Sequence, residues 1–138
     1  MPDDTSKEPR YFVAVFGDPQ PDKDRVESGL YQAGEGYPPF EAVPGDVLLL
    51  YCTDEYANYR MLVPGIGIVL QADRDTVKYR WLPFSEPISR ELILKNFDTE
   101  DASKMRQLGI TVHRLFTISR SSFANTVTGR PIRWEKLS

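Results

Sequence analysis

The residues able to do chemistry in this chain are mostly aromatic and acidic. Aromatics gather at the ends of apolar runs and in the segments between them: Tyr11, Phe12, Phe16, Tyr31, Tyr37, Tyr51, Tyr56, Tyr59, Tyr79 and Trp81. Flat π-faces beside backbone donors are how proteins hold unpaired or flipped bases, each stack being worth roughly 1–3 kcal/mol. Carboxylates stand in the same places, at Asp18, Glu35, Asp46, Asp54 and Glu55. They could act as acid-base groups, and Asp18 or Glu35 could accept a hydrogen bond from an exocyclic amine. Asp46 follows Gly45, and a turn role explains it more simply. Ser119-Arg120-Ser121-Ser122 at a predicted helix start offers backbone amides and a cation, a seat for phosphate or an ordinary helix cap.

Other chemistries lack their parts. No G-x-S-x-G, P-loop or paired histidine motif occurs, and Gly34-Glu35-Gly36 lies among prolines rather than between a strand and a helix. The single cysteine, Cys52, ends an apolar run and reads as a small buried hydrophobe, with no partner for an internal disulfide. The single histidine, His113, sits mid-strand with no neighbouring nucleophile, which removes most zinc and haem ligand sets. No cofactor or metal is expected.

The elements that must position these residues follow from periodicity. Arg10–Phe16 and Val47–Thr53 are continuous apolar, β-branched or aromatic runs and read as buried strands. Met61–Ala72 has strand composition broken at Pro64-Gly65, which predicts an edge or a bulge. Gly65 and Gly67 share one face and Ile66 and Ile68 the other. The bare glycine face is either packed tightly by a neighbour or leaves room for a ligand. Thr76–Leu82 alternates strictly, with Val77, Tyr79 and Trp81 on one side. Ser89 caps a helix over Arg90–Phe97, Thr99 caps a second one stopped at Gly109, Thr111–Ile118 is a further strand, and Ser119 caps a last helix through Val127. Pro21–Tyr31 holds at most one short helix, and the prolines and glycines beyond it predict a long loop containing Tyr31. Without regular βαβ alternation, this is a small α+β domain built on a curled sheet or open barrel flanked by short helices.

Length, charge and hydropathy bound the class. A chain of 138 residues with 41% hydrophobic and 27% charged residues suits one globular domain, here residues 10–138 behind a flexible tail, residues 1–9. That acidic, polar tail resembles neither a secretory signal nor a transit peptide, and the apolar runs are far shorter than the roughly 20 residues of a membrane helix. A soluble, cytoplasmic protein without a membrane partner is the expectation. Residues 1–100 carry 10 Lys and Arg against 18 Asp and Glu, while residues 101–138 carry 7 against 2. The acidic total argues against nonspecific coating of nucleic acid, whereas the basic C-terminal region leaves a local basic face open.

The order of motifs resembles the PUA-like superfamily, most closely its EVE branch, with YTH domains as relatives. Arg10-Tyr11-Phe12-Val13 with the turn at Gly17-Asp18-Pro19 resembles the first strand of both. Gly29-Leu30-Tyr31-Gln32-Ala33 followed by Val43-Pro44-Gly45-Asp46-Val47 through Tyr51 is similar to the EVE segment of N-Y-Q-A-R type that precedes a V-G-D strand. Gly65-Ile66-Gly67-Ile68-Val69 looks like the glycine-bearing strand after it. The resemblance implies a compact barrel without catalysis whose pocket holds a nucleobase, modified or not, of DNA or RNA. Carried over by position, it implies a pocket of Phe16, Gly17, Asp18, Tyr31, Gln32 and Tyr51. Trp81 is added as a stacking surface, and Arg120, Ser121 and Ser122 as phosphate contacts. Gly34 and Glu35 depart from the family's arginine and asparagine after Y-Q-A, exchanging positive charge for negative. Two alternatives stand beside this one: a protein-interaction domain using the basic C-terminal region with Arg133-Trp134, and a small hydrolase using Asp18, Glu35 or Asp54 as base.

Overall fold

The computed structural model describes residues 9–16, 26–32, 41–53, 59–73, 76–106 and 115–128. Its elements are β1 (Tyr11–Phe16), β2 (Leu30–Gln32), β3 (Val47–Cys52), β4 (Leu62–Ala72), β5 (Thr76–Ser89), α1 (Arg90–Asn96), α2 (Thr99–Arg106), β6 (Leu115–Ile118) and α3 (Arg120–Val127), with a 3-10 turn at Val26–Ser28. The six strands form one mixed sheet in the order β2-β5-β4-β3-β1-β6, curled into a half-barrel and flanked by the three short helices. The fold is α+β, as the sequence predicts.

The continuous apolar runs of β1 and β3 are explained by their place. They pair in parallel, Tyr11 opposite Val47 through Phe16 opposite Cys52, at the centre of the sheet. Both faces of this pair are covered, so alternate residues feed two cores. Phe12, Ala14, Phe16, Leu48, Leu50 and Cys52 fill the concave side with Tyr31, Val77 and Tyr79. Val13, Val15, Leu49 and Tyr51 fill the opposite side against Ile93 of α1 and Ala102 and Met105 of α2. Tyr11 stacks on Phe123 of α3 at a 4.6 Å ring separation, which docks that helix over the start of β1.

The bulge expected at Pro64 is present as a register shift between Val63 and Gly65. β5 departs further from expectation. It runs 14 residues instead of ending at Leu82, passing through Pro83 and Pro87. Only its first residues are covered by β2, which pairs Leu30 with Lys78 and Gln32 with Thr76. The Tyr79 amide donates to the Gly29 carbonyl, so Trp81 and Pro83, in strand alternation, direct their backbone to the side that β2 leaves uncovered. Proline is compatible with that edge because no ladder hydrogen bond is asked of it.

Turn chemistry joins these strands. Asp46, which is buried, accepts from the Arg10 amide at 3.0 Å and the Val43 amide at 2.9 Å, fastening the turn before β3 to the start of β1. Gly45 in that turn has φ +96°, a left-handed backbone that favours glycine. Ser89 and Ser119 cap α1 and α3 as predicted, accepting from the Leu92 and Ser122 amides. The cap of α2 is corrected by one residue. Asp98, not Thr99, accepts from the Asp101 amide at 2.9 Å, and its carbonyl takes the Ala102 amide, which makes Thr99 the first helical residue. Among the described residues, no helix is long and apolar enough to cross a membrane.

Candidate functional site

The bare glycine face of β4 is filled by the aromatics of β5. A Cβ on Gly67 would lie 2.5 Å from Cδ2 of Tyr79, and one on Gly65 would lie 2.5 Å from the Leu82 carbonyl oxygen and 3.0 Å from Cη2 of Trp81. Close packing of β5 accounts for both glycines. The Tyr79 ring is buried in the concave core, whereas the indole of Trp81, two residues on, is only half buried. Beside it opens a cleft of about 490 Å³ lined by Glu27, Tyr59, Pro64, Trp81, Pro83 and neighbouring β5 residues. This volume lies within the range of small-molecule sites, roughly 300–1,000 Å³.

Glu27 reaches the cleft through long-range pairing. The Tyr79 hydroxyl donates to the Val26 carbonyl, and the Tyr79 amide to the Gly29 carbonyl at 2.9 Å, so one residue of β5 grips both sides of the 3-10 turn. Gly29 completes the turn at φ +78°, where a Cβ would lie 2.8 Å from the Tyr79 carbonyl oxygen. The turn thus presents the exposed Glu27 side chain beside Tyr59, whose hydroxyl donates to its Oε2 at 3.4 Å. Burial pushes the Tyr59 phenol above its ordinary value, and the negative charge of Glu27 and this hydrogen bond push it the same way. The Cys52 thiol is raised too, first by burial and then by Glu27. Cys52 is fully buried in the core, in the place the sequence predicts for a small hydrophobe. The ion pairs among the described residues are Arg10 with Asp46 and Lys104 with Asp101, and Glu27 belongs to neither.

Among the described residues expected in one pocket, Phe16 and Tyr31 lie on one side of the sheet and Tyr51 on the other. Phe16 and Tyr31 do meet, edge to face at 5.0 Å, but both are fully buried, and the Tyr31 hydroxyl donates to the Val15 carbonyl at 3.1 Å. Tyr31 lies on β2, not in a loop, because pairing with Val77 of β5 creates a strand of three residues that no local signal announces. Tyr51 is buried on the opposite, helix-covered face of the sheet. Strand alternation separates it from Phe16, for odd positions of β1 and β3 face one core and even positions the other. Gln32 ends β2. Gly17, Asp18, Glu35, Asp54, Glu55, His113, Arg133 and Trp134 lie outside the described residues. Among the described residues of the expected pocket, Trp81 is the one that lines the cleft.

The expected phosphate seat already holds anions of the protein itself. At the start of α3, the Asp101 carboxylate accepts from the Ser119 amide at 2.8 Å and the Ser122 hydroxyl at 2.7 Å, while the Ser119 hydroxyl donates to Asp98 at 2.8 Å. Ser122 is fully buried and also accepts from the Asp98 amide. Asp101 thus takes the Ser119 amide and the Ser122 hydroxyl, and the Ser122 amide donates to the Ser119 hydroxyl oxygen at 3.0 Å, so both polar groups of Ser122 are engaged within the protein, which corrects its assignment as a phosphate contact. Arg120 and Ser121 are exposed at the same helix, which packs near the β6 edge and on the convex face, away from Trp81.

Glu27 and the prolines of β5 are what the sequence did not reveal. Glu27 lies in a polar stretch without a motif, and its position depends on contacts with Tyr79 and Tyr59, 53 and 32 residues away for the two hydrogen bonds of this turn. Among the described residues, no group of three or more His, Cys, Asp or Glu could hold a metal ion. No protein-family model and no curated protein matches the chain.

Proposed function

We propose that this chain is a non-catalytic binding module whose cleft between Trp81 and the Glu27 turn holds a nucleobase, modified or unmodified, of DNA or RNA. The observation that carries the proposal is the half-exposed indole of Trp81 forming a wall of a cleft large enough for a flat ring, with a polar acceptor on the same lining. A tryptophan fixed by packing against Gly65 is a rigid stacking surface, and base-aromatic stacking is sequence-tolerant because every base has a π-face. The order of motifs that resembles the EVE branch supports the same reading. The site differs from the one the resemblance implies, since Tyr31 and Phe16 support the concave wall from within instead of lining a pocket.

Calorimetric titration of the folded chain with nucleosides and short single-stranded oligonucleotides tests this. Saturable binding is expected, and Trp81→Ala should weaken it by the roughly 1–3 kcal/mol of one stack, about 5-fold to 150-fold. A folded wild-type protein that binds none of these ligands refutes the proposal.

A further inference from the structure

We infer that the cleft selects bases that present an amine donor edge, of the cytosine and adenine type, over bases that present a carbonyl there, of the uracil and hypoxanthine type. The inference rests on the nucleobase reading above and adds what the site discriminates. Glu27 is the selecting residue. Its carboxylate can only accept hydrogen bonds when ionised, so it rewards an exocyclic N–H and repels the lone pairs of a carbonyl in the same place.

Three features make Glu27 a positioned group instead of a passing surface charge. Its turn is held on both sides by Tyr79, through the hydroxyl to Val26 and the amide to Gly29. The Tyr59 hydroxyl donates to Oε2 at 3.4 Å, and among the described residues Oε1 accepts no hydrogen bond. The same lining carries the Trp81 indole and the prolines Pro64 and Pro83 as apolar surfaces, with Tyr59 and Ser85 as uncharged polar side chains and Glu27 as the charged one among the described lining residues. A base stacked on Trp81 therefore meets a carboxylate at its edge. Stacking alone does not distinguish cytosine from uracil, so the difference between them reports the edge contact.

The test compares cytidine with uridine and adenosine with inosine by calorimetry, on the wild-type chain and on Glu27→Gln. Glu27 is solvent-exposed, so this isosteric change is compatible with folding, and circular dichroism with thermal melting verifies it. A charge-assisted hydrogen bond predicts that wild type prefers the amine-bearing member of each pair by about tenfold or more. In Glu27→Gln both ratios should collapse below about threefold, because the amide loses the charge and gains a donor that suits a carbonyl. Wild-type ratios within threefold, or ratios that survive in Glu27→Gln, overturn the selectivity while leaving a base-binding cleft in place. Absence of binding by all four nucleosides overturns the nucleobase reading and the selectivity with it.

Discussion

Replacing Asp101 by alanine removes the buried anion that joins the starts of α2 and α3. Asp101 is 3% exposed, and its Oδ2 accepts from the Ser119 amide at 2.8 Å and from the Ser122 hydroxyl at 2.7 Å. Hydrogen bonds to a charged group contribute roughly 1.5–3 kcal/mol each, and truncation also strands the half-buried Ser119 N–H and the buried Ser122 hydroxyl. The Lys104 contact at 3.6 Å adds little, since its side chain is more than a third exposed and solvent screens the pair. The expected loss is about 3–5 kcal/mol, a large share of the roughly 5–15 kcal/mol that holds a domain folded. Urea unfolding followed by circular dichroism measures it, with the slope of the transition unchanged and its midpoint lowered. The melting temperature should fall by roughly 10–20 °C at this chain length. A loss below about 1 kcal/mol with an unchanged slope would refute the assignment of this carboxylate as the joint and reopen the start of α3 to an external anion.

Further outcomes follow from the same geometry. Thr99→Ala should change stability by less than about 0.5 kcal/mol, whereas Asp98→Ala should lower it measurably, because Asp98 is the cap; equal effects in urea unfolding contradict this. The Asp98 carboxyl is held below its ordinary value, chiefly by the Asp101 amide and then by the Ser119 hydroxyl. Its stabilisation is therefore complete above the unfolded value of about 3.9 and is lost as pH falls through the lower native value, so unfolding free energy should fall less steeply below pH ~4 in Asp98→Asn. Gly45→Ala, at φ +96° with open space around it, should cost only the left-handed backbone, about 1–2 kcal/mol. Gly29→Ala should cost more in the same unfolding assay, since its Cβ also meets the Tyr79 carbonyl at 2.8 Å. Tyr31→Phe should cost about 1 kcal/mol through the lost bond to Val15 and leave nucleoside affinity unchanged; a large loss of affinity would return Tyr31 to the binding surface.

What the sequence discloses and what it hides divide along sequence distance. β1, β3 and the first half of β5 are legible because composition and alternation are local, and Ser89 and Ser119 announce their helices by side-chain type alone. β2 is hidden because its three residues become a strand only by pairing with β5, more than 40 positions away. The second half of β5 is hidden by Pro83 and Pro87, which read as breakers until the strand is seen to lie uncovered beyond β2. The same limit governs the site. Trp81 is legible as an aromatic on an alternating strand, and Tyr59 as an aromatic near a strand end. Glu27 is not, because a glutamate in a polar stretch acquires a role only when Tyr79 fixes its turn beside Tyr59. Tyr51 and Phe16 show the converse error, where shared residue type and nearby strand ends suggest one pocket and the two-residue period of the strands places them on opposite faces.

The central claim is that a base stacks on Trp81, and the indole itself reports it. The chain has two tryptophans, so Trp134→Phe leaves Trp81 as the only indole emitter. Titration of that variant with cytidine and adenosine should quench Trp81 emission along a saturable curve whose midpoint matches the calorimetric dissociation constant. Emission that stays constant while calorimetry records binding would place the base elsewhere on the protein and contradict the account.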